Sequence, residues 1–463
     1  MLSETIPGQQ VFLDGLPDYA DLSRCIHCGR CLPVCPTYQE TLQEIQSPRG
    51  RLALLRAVED GELDLTAGVE AHLHHCLDCR ACNTVCPAGI PIGESIVAGR
   101  AAARARRPPG RLPRALLALL SRPRLMEALF VPARLYNATL RPLLWRSGAV
   151  RRLPARLQML EATLLDRLSP PLRPALPARL PATADGTCKH RRVGYFVGCI
   201  MNVAFSEASQ ATIALLRRHG CEVVPLAPGC CGSPHEHAGL ADAARAAARR
   251  AIAAVEADPD LDLIVCDSAG CTGMLKTYGH LLHDDPAWSE CAAAFSARVR
   301  DATEFLDQIL PPPGPSGAFF SADALERKAI PSLQSSIARS ECWGGKQRPL
   351  RLTYHAPCHL ANMQGIVAPP HRLLARLRHV EVVPLADERR CCGSAGTYNL
   401  THPAMAQRLL DAKLDAIEAT GAAVVASCNP GCQMHIAAGL RDRGSRVVVK
   451  HLSELLLEEE EAG

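Results

Sequence analysis

Two stretches in the second half of the chain alternate strand-like apolar runs with segments of helical periodicity. The apolar runs lie at 191–199, 221–226 and 261–271 in the first stretch and at 350–358, 380–385 and 422–432 in the second. Between the runs, apolar residues recur at intervals of three and four, which is the spacing of an amphipathic helix. The order strand, helix, strand, helix, strand therefore occurs twice. It predicts two α/β layers that carry functional residues at the carboxyl ends of their strands.

Helical periodicity also dominates the first half of the chain. Within 41–75, Ser47 and Pro48 give a helix start signal, with Pro48 at the first helical position. Beyond residue 100 the apolar residues again recur at three and four, but four prolines between 108 and 123 interrupt them. This pattern predicts short amphipathic helices joined by kinks. The Pro-rich tether at 169–184 indicates a domain boundary.

These patterns predict a multidomain protein in which a helical domain precedes two α/β domains. The predicted segments are a helical domain at 1–100, a basic helical and Pro-rich linker at 101–190, a first α/β domain at 191–310, an inserted loop at 311–349 and a second α/β domain at 350–463. A chain of 463 residues has room for several hydrophobic cores of this size. We therefore expect each domain to fold around its own core.

Composition changes this picture only through the location of charge. The formal net charge is +4, with 48% hydrophobic and 21% charged residues, which is ordinary for a globular protein. Between 100 and 192, however, 19 Arg and one Lys face four acidic residues. This stretch is either a linker whose arginines face water or a docking surface for an acidic partner or an anionic membrane face. It has neither interleaved aromatics nor a recognition motif, so we expect no nucleic acid partner.

Eight cysteines in the first hundred residues repeat one ligand spacing, Cys-x2-Cys-x2-Cys-x3-Cys-Pro. They are Cys25, Cys28, Cys31 and Cys35 in the first run and Cys76, Cys79, Cys82 and Cys86 in the second. This is the spacing of [4Fe–4S] ligands, in which the fourth cysteine of a run completes the other cluster. We therefore expect two clusters, with Cys86 completing the first set and Cys35 completing the second. Structural zinc needs two cysteine pairs per site and would leave the third cysteine surplus.

A second cysteine repeat falls on the two α/β layers. Its members are Cys199, Cys230, Cys231 and Cys271 in the first layer and Cys358, Cys391, Cys392 and Cys432 in the second. In both copies a glycine follows the cysteine pair, and 39 residues separate the pair from the last cysteine. Four thiolates per copy suit an iron–sulfur cluster or zinc equally well, and buried structural cysteines are the alternative. The glycine lets the backbone turn tightly and approach a bound group closely.

Four further residues near these motifs have less certain roles. Cys266 and Cys428 lie just upstream of the last cysteine in each copy, but at different spacings, so they are secondary ligand candidates. Arg49 and Arg51 follow the first cysteine run. They either stabilise the negative charge of a cluster or cap solvent-exposed helix faces, and we expect the second role.

Four segments together resemble a known family. They are CIHCGRCLPVCPTY at 25–38, SPRGRLALL at 47–55, HHCLDCRACNTVCPAGI at 74–90 and CCGSAGTYNLTHPAMAQRLLDAKLDAIEA at 391–419. Over nearly its whole length the chain resembles the iron–sulfur subunit of glycolate oxidase. That family has an N-terminal two-cluster ferredoxin domain followed by two cysteine-rich domains, called CCG domains after their Cys-Cys-Gly sequence. The resemblance implies a helical ferredoxin-type domain and two α/β CCG domains.

The resemblance also implies a function and partners. In this family, flavin-containing partner subunits oxidise glycolate to glyoxylate, and the iron–sulfur subunit passes electrons to an acceptor such as quinone. The subunit is then part of an oxidoreductase but has no catalytic residue of its own. The chain lacks a G-x-G-x-x-G sequence at a strand-to-helix junction, so we expect no flavin or NAD bound through that fold. The start lacks a signal-peptide pattern and no uncharged apolar run reaches eighteen residues, so we expect a cytoplasmic protein, with peripheral contact at the inner membrane face as an extension.

The chain departs from one relative at the end of each CCG motif. The related heterodisulfide reductase subunit binds noncubane clusters through CCG motifs that end in Cys-x2-Cys, whereas Ser268 and Asn429 stand at the first position of that pair here. A cubane cluster, zinc and a bare thiol site therefore stay open for the CCG domains. Two other functions also stay open. One is a subunit of a related lactate or glycerol-3-phosphate dehydrogenase complex, and the other is a zinc-binding assembly scaffold.

Overall fold

The computed structural model describes residues 17–154, 157–158, 161, 168–184, 188, 191–311, 349–378 and 380–462. The described chain forms a helical N-terminal domain, a helical hairpin and two α/β domains. Apart from its two end residues, the predicted inserted loop at 311–349 lies outside the described residues.

The N-terminal domain is a set of short helices around a core of leucine and isoleucine. The helices are α1 (Tyr19–Ser23), α2 (Pro36–Thr41), α3 (Pro48–Glu59), α4 (Ala67–His74), α5 (Ala81–Val85) and α6 (Ile92–Arg106), with a 3-10 turn at Glu44–Gln46. Helix α3 begins where the sequence predicted, because the Ser47 side chain accepts a hydrogen bond from the Gly50 amide. Leu55, Leu73 and Ile96 from α3, α4 and α6 are fully buried together. Helix α6 continues through residue 100, where the sequence suggested a boundary.

The basic segment folds into a helical hairpin of α7 (Arg111–Leu120) and α8 (Pro123–Arg146). Two short 3-10 turns follow at Val150–Arg152 and Arg173–Ala175. Only Met126 and Glu127 of α8 are buried among its described side chains. The solvent face of α8 is largely apolar, although Arg124 and Arg146 are also exposed. A linker with arginines that face water and a docking surface therefore both stay open for this segment.

The first CCG domain is a four-stranded parallel sheet covered by helices. Its elements are β1 (Arg192–Phe196), α9 (Cys199–Ala204), α10 (Ser206–Arg218), β2 (Glu222–Leu226), α11 (Ser233–His237), α12 (Ala241–Glu256), β3 (Leu263–Cys266), α13 (Ala269–Lys276), α14 (Tyr278–Leu281), α15 (Ser289–Arg298), β4 (Val299–Asp301) and α16 (Ala302–Ile309). The strand order is β2-β1-β3-β4. In register, Val193 pairs with Val223 and Leu263. Central strands are continuous apolar runs because helices cover both faces.

The second CCG domain repeats this architecture. Its elements are β5 (Leu350–Tyr354), a π-helical turn (His359–Met363), α17 (Ala368–Leu374), β6 (Val380–Val382), α18 (Tyr398–Thr401), α19 (Pro403–Ala419), β7 (Val424–Ser427), α20 (Pro430–Asp442), β8 (Val448–His451) and α21 (Leu452–Ala462). The strand order is β6-β5-β7-β8, again parallel. The two predicted α/β layers are therefore confirmed. The fourth strand of each sheet, β4 or β8, was not predicted.

The two CCG domains share one hydrophobic core. Helix α21 packs against α10 of the first domain, and α16 packs against α17 of the second. Leu215 and Leu216 of α10 belong to the same buried cluster as Leu452 and Leu456 of α21. The last helix of each CCG domain thus packs against the other CCG domain. These contacts fix the two domains relative to each other.

The close approach of helix α3 to the preceding turn gives a test of the fold. A Cβ atom at Gly50 would lie 2.0 Å from the backbone oxygen of Glu44, whereas one at Gly68 in α4 would meet its nearest neighbour, the Thr66 hydroxyl, at 3.5 Å. We expect Gly50→Ala to destabilise the protein by about 1–3 kcal/mol through overpacking. The control Gly68→Ala should be neutral or stabilising by up to about 1 kcal/mol. Urea denaturation followed by circular dichroism measures both, and equal midpoints for the two variants would contradict the packing at Gly50.

Candidate metal centres

Both cysteine loops of the N-terminal domain adopt the same unusual backbone. The second and fourth residues after the first cysteine have positive φ in each loop, at His27 (56°) and Gly29 (77°) and again at Asp78 (53°) and Arg80 (59°). Residues other than glycine adopt this left-handed backbone conformation at an energetic cost. The same cost at matching positions of two loops indicates that both loops are held in a shape that serves one purpose.

Two cavities lie at the two loops. One cavity is lined by Cys25, Cys28, Cys31 and Cys86, and the other by Cys35, Cys76, Cys79 and Cys82. Each loop therefore receives its fourth cysteine from the other run, which is the exchange that the spacing suggested. We name these sets the first and second ferredoxin sites. The binding of clusters by these particular cysteines stays a prediction.

The thiols of the ferredoxin sites are largely withdrawn from water. Burial raises the pKa of the Cys31 thiol to about 11 and raises the pKa of Cys79 and Cys82 well above the usual range. A thiol in such surroundings stays protonated at neutral pH unless a cation replaces the proton. The sites therefore suit a positively charged group that binds thiolates, and iron of a [4Fe–4S] cluster has this chemistry.

Two arginines lie next to these sites. Arg51 was expected to cap a solvent-exposed face, and that expectation is wrong, because Arg51 is fully buried and lines the second ferredoxin cavity. It donates hydrogen bonds to the Gln46 carbonyl (2.6 Å) and the Thr37 hydroxyl (3.2 Å). The Thr37 hydroxyl in turn lies 3.3 Å from the Cys35 sulfur. Arg49 lines the first cavity.

In the first CCG domain five thiols form one connected group. Cys199 follows β1, Cys230 and Cys231 follow β2, Cys266 ends β3 and Cys271 begins α13. The thiols of Cys199 and Cys230, of Cys230 and Cys231, of Cys231 and Cys271, and of Cys271 and Cys266 are close enough to shift each other's pKa. The four repeat cysteines are thus brought together at the carboxyl edge of the sheet. Cys266, a secondary candidate from the sequence, joins them.

In the second CCG domain the four repeat cysteines are connected in the same way. Cys358 contacts Cys391, Cys391 contacts Cys392, and Cys392 contacts Cys432 through their thiols. Cys428 does not join this group. Its sulfur lies 3.7 Å from the Tyr354 hydroxyl instead. The two secondary candidates therefore differ in position.

The glycine after each cysteine pair has the conformation that its proposed role requires. Gly232 and Gly393 have φ of 99° and 92°. A Cβ atom there would lie 3.2 Å from the Ala244 carbonyl oxygen and 2.7 Å from the Ala406 carbonyl oxygen, respectively. Only glycine fits both the backbone angle and the space. The prediction of a tight turn at this residue is confirmed.

Two histidine-containing clusters were not predicted from the sequence. His355, Cys392 and Cys432 place ligand atoms within 4.8 Å of one another in the second CCG domain, and Asp78, His237 and His359 do so where the N-terminal domain meets both CCG domains. His355 stands three residues before a repeat cysteine and His359 directly after it. In the sequence, closeness to a cysteine motif was therefore the only sign of these histidines. It does not distinguish a metal ligand from a residue that is merely adjacent to one.

The cluster around Asp78 ties the three domains together. His237 Nε2 lies 3.3 Å from a carboxylate oxygen of Asp78, and His359 Nε2 lies 2.9 Å from the Asp78 backbone oxygen. Burial lowers the pKa of His237 to about 3 and also lowers the pKa of His359. The His359 hydrogen bond joins the second CCG domain to the N-terminal domain, and the His237 contact joins the first CCG domain to it. The buried guanidinium of Arg80 lies 2.5 Å from the other carboxylate oxygen.

The four cysteine sites form a continuous series through the molecule. Cys79 of the second ferredoxin site packs in one buried cluster with Cys391, and Cys358 lies against that cluster. The two CCG sites face each other through Ala269, whose amide donates to the Cys428 carbonyl at 3.1 Å, and through the Asn429 side chain. Each site thus borders the next one.

Models of two protein families match these regions. A 4Fe-4S dicluster domain matches residues 21–90, and a cysteine-rich domain matches twice, at 193–276 and 352–437. The N-terminal domain is therefore an iron–sulfur dicluster domain, and the two α/β domains are cysteine-rich domains of one family. Among the described residues, no helix has both the length and the apolar character that a bilayer span requires.

Three curated relatives were compared over their lengths. The chain is 34% identical to a probable glycolate oxidase iron–sulfur subunit of Bacillus subtilis, over 95% of this chain and 94% of the relative. It is 31% identical to the glycolate oxidase iron–sulfur subunit of Escherichia coli, over 94% of this chain and 93% of the relative. Lactate utilization protein A of an Exiguobacterium species is 32% identical but covers 58% of this chain. The first two relatives therefore match the whole domain order.

The exchange of fourth cysteines can be tested with pairs of alanine substitutions. Cys35 and Cys76 line the same cavity, whereas Cys35 and Cys25 line different ones. If each cavity holds one cluster, Cys35→Ala with Cys76→Ala should lose about four irons per chain, while Cys35→Ala with Cys25→Ala should lose about eight. Iron and acid-labile sulfide of anaerobically purified protein measure this. Cys291→Ala, outside all four sites, is the control. The reverse pattern of iron loss would mean that each run binds its cluster alone.

Proposed function

The chain belongs to the family of glycolate oxidase iron–sulfur subunits, and on that premise we propose that it carries electrons within a glycolate-oxidising complex. Flavin-containing partner subunits would oxidise glycolate to glyoxylate, and this subunit would deliver the electrons to an acceptor such as quinone. The observation that carries the proposal is the continuous series of four cysteine sites. A scaffold would not need neighbouring sites that border one another through buried contacts.

The residues that would hold the cofactors are the cysteines of that series. Two [4Fe–4S] clusters would bind at Cys25, Cys28, Cys31 and Cys86 and at Cys35, Cys76, Cys79 and Cys82. A further iron–sulfur cluster or zinc would bind at the CCG sites, which contain Cys199, Cys230, Cys231 and Cys271 and Cys358, Cys391, Cys392 and Cys432. Iron–sulfur clusters supply one-electron transfer over a wide range of potentials.

The electron donor would dock at the first ferredoxin site. Cys28 is exposed to solvent, and the neighbouring Ile26 exposes 70% of its surface. By contrast, Cys79 and Cys82 of the second site are buried. An exposed apolar side chain beside an exposed ligand is suited to a partner subunit that must approach closely. We therefore place the flavin-containing partner at this end of the series.

The acceptor side would lie at the hairpin of α7 and α8. Met126 of α8 is buried with Cys199 and Cys230 of the first CCG site. Further along α8, three leucines are exposed to solvent, with exposed fractions of 49% for Leu129, 65% for Leu135 and 64% for Leu143. A row of exposed leucines of this extent marks an interaction surface. The hairpin thus joins the first CCG site to an apolar surface.

We propose that this hairpin binds an anionic membrane surface. Five arginines of the same hairpin are exposed, namely Arg111 and Arg114 of α7, Arg122 before α8, and Arg124 and Arg146 of α8. Glu127 is the only acidic residue between 101 and 154, and it is buried in an ion pair with Arg173. An apolar helix face with a purely basic rim is the pattern of a helix that lies in the membrane interface. The protein would then act at the cytoplasmic face, next to a membrane quinone.

The choice of substrate rests on the family alone. Lactate utilization protein A is similar over 267 residues, which are only 58% of this chain. The full-length relatives carry glycolate oxidase in their names. We therefore propose glycolate before lactate. Steady-state assays of the assembled complex with both acids decide between them.

Loss of a ferredoxin ligand should separate electron conduction from substrate oxidation. In the assembled complex, Cys28→Ala should leave intact the glycolate-dependent reduction of an artificial acceptor that reacts directly with the flavin. Quinone reduction should be lost, because the first cluster no longer conducts. Cys291→Ala is the matched control and should retain both activities. If Cys28→Ala retains quinone reduction after its cluster is lost, the subunit acts as a scaffold.

Charge placed on the exposed leucines should prevent membrane binding. We expect Leu129→Glu, Leu135→Glu and Leu143→Glu, combined, to lower partitioning to vesicles of phosphatidylglycerol at least about tenfold, since each leucine contributes about 1.5–3 kcal/mol when buried. Vesicle flotation at fixed ionic strength measures this. Leu42→Glu, at an equally exposed leucine (75%) of the ferredoxin domain, should bind like wild type. Unchanged flotation with loss of the flavin-containing subunits on gel filtration would assign the hairpin to a protein partner instead.

A further inference from the structure

The second CCG site contains a histidine that no cysteine motif includes. His355 follows β5 and is fully buried, with 0% of its surface exposed. One of its ring nitrogens lies within 4.8 Å of the sulfurs of Cys392 and Cys432, which themselves lie within that distance of each other. Three atoms of metal-ligand type thus converge on one buried point.

The His355 ring has no other polar partner to explain its burial. No described residue gives either of its nitrogens a hydrogen bond of normal geometry, although the backbone of Glu388 lies near the ring. Burying an imidazole without a partner costs free energy, so such a group indicates an unfilled role.

Comparison of the two CCG domains shows that the histidine is specific to the second. The residue three positions before the first repeat cysteine is His355 in the second domain and Phe196 in the first. Phe196 is buried in the apolar core. The residue five positions before the last repeat cysteine is Ser427 in the second domain and Cys266 in the first. Each domain therefore has one additional donor, but from a different strand.

The two additional donors have equivalent relations to their sites. Cys266 ends β3 and its thiol contacts Cys271, the last repeat cysteine of the first domain. His355 follows β5 and lies beside Cys432, the last repeat cysteine of the second domain. Ser427 ends β7 at the place of Cys266, but in the described structure its buried hydroxyl has no hydrogen-bond partner. Loss of the thiol at that strand end thus coincides with gain of an imidazole at the neighbouring strand.

We propose that His355 is a ligand of the metal centre in the second CCG domain, and that Cys266 is the corresponding ligand in the first. The second centre is then a mixed cysteine and histidine site for a thiophilic metal, either iron of an iron–sulfur cluster or Zn²⁺. A neutral imidazole in place of a thiolate leaves this centre with one negative charge fewer than the first. For an iron–sulfur centre, this raises the reduction potential relative to an all-thiolate set.

The inference rests on metal occupancy of the second CCG domain, which belongs to the proposed function, but not on electron transfer. The first measurement is therefore the metal content of full-length wild-type protein and of Cys391→Ala. Loss of iron or zinc in this variant is expected and establishes occupancy. Equal metal content in the two proteins would overturn the ligand assignment.

The nitrogen ligand is then detected directly by spectroscopy. Protein labelled with ¹⁵N-histidine is reduced, and electron spin echo spectroscopy measures nitrogen coupling to the iron centres. If the site holds zinc, zinc-edge X-ray absorption measures one nitrogen among the sulfur neighbours. We expect the nitrogen signal in wild type and its loss in His355→Cys, with the metal retained. His435→Gln is the control, because His435 is equally buried and joins no cluster of three ligand atoms among the described residues.

A double variant keeps the test decisive if the single substitution His355→Cys disturbs folding. His355→Phe combined with Ser427→Cys gives the second site the residues of the first. We expect this double variant to bind metal without the nitrogen signal, and its iron centre to have a lower potential than wild type. A nitrogen signal that survives in His355→Cys or in the double variant would overturn the proposal. If the assembled complex has the nitrogen signal but does not reduce quinone, the result counts against the proposed function and not against the assignment of His355.

Discussion

The burial of thiols is the constraint on which the rest of this structure depends. A thiolate is stable away from water only beside positive charge, and burial raises the pKa of Cys79 and Cys82 far above the usual range. The chain meets this constraint with loops that hold sulfurs around a cavity, at the cost of left-handed backbone at Asp78 and Arg80. A bound metal would supply the missing charge. The sites and their occupants therefore have to form together.

The same constraint explains why the domains are joined so closely. The walls that shield the cysteine sites from water are partly domain interfaces, since Cys79 of the N-terminal domain packs with Cys391 of the second CCG domain. Asp78 lies between two ligands of the second ferredoxin site and contacts His237 and His359 of the two CCG domains. Helices α16 and α21 cross between the CCG domains and complete a shared core. Contacts that hold the sites in series are therefore also the contacts that hold the molecule together.

The duplicated CCG domain has the same fold in both copies but different residues beside the cysteines. Both copies keep four cysteines and the glycine with positive φ, because those residues build the turn at the sheet edge. The positions around them differ, with Phe196 and Cys266 in one copy and His355 and Ser427 in the other. Neither difference disturbs the sheets, which have the same strand order. A centre can thus change its ligands while its scaffold stays constant.

The sequence by itself determined the ligand runs, the domain order and the α/β layers, because ligand spacing and hydrophobic period are local properties of the chain. It also determined the start of α3 at Pro48 and the tight turn at Gly232. Only the tertiary structure decided that Arg51 is buried, that α8 turns its leucines outward and that His355 meets Cys392. The short strands β4 and β8 likewise become strands only by pairing with their neighbours. These features depend on contacts between residues far apart in the chain, and such contacts leave no periodic pattern in the sequence.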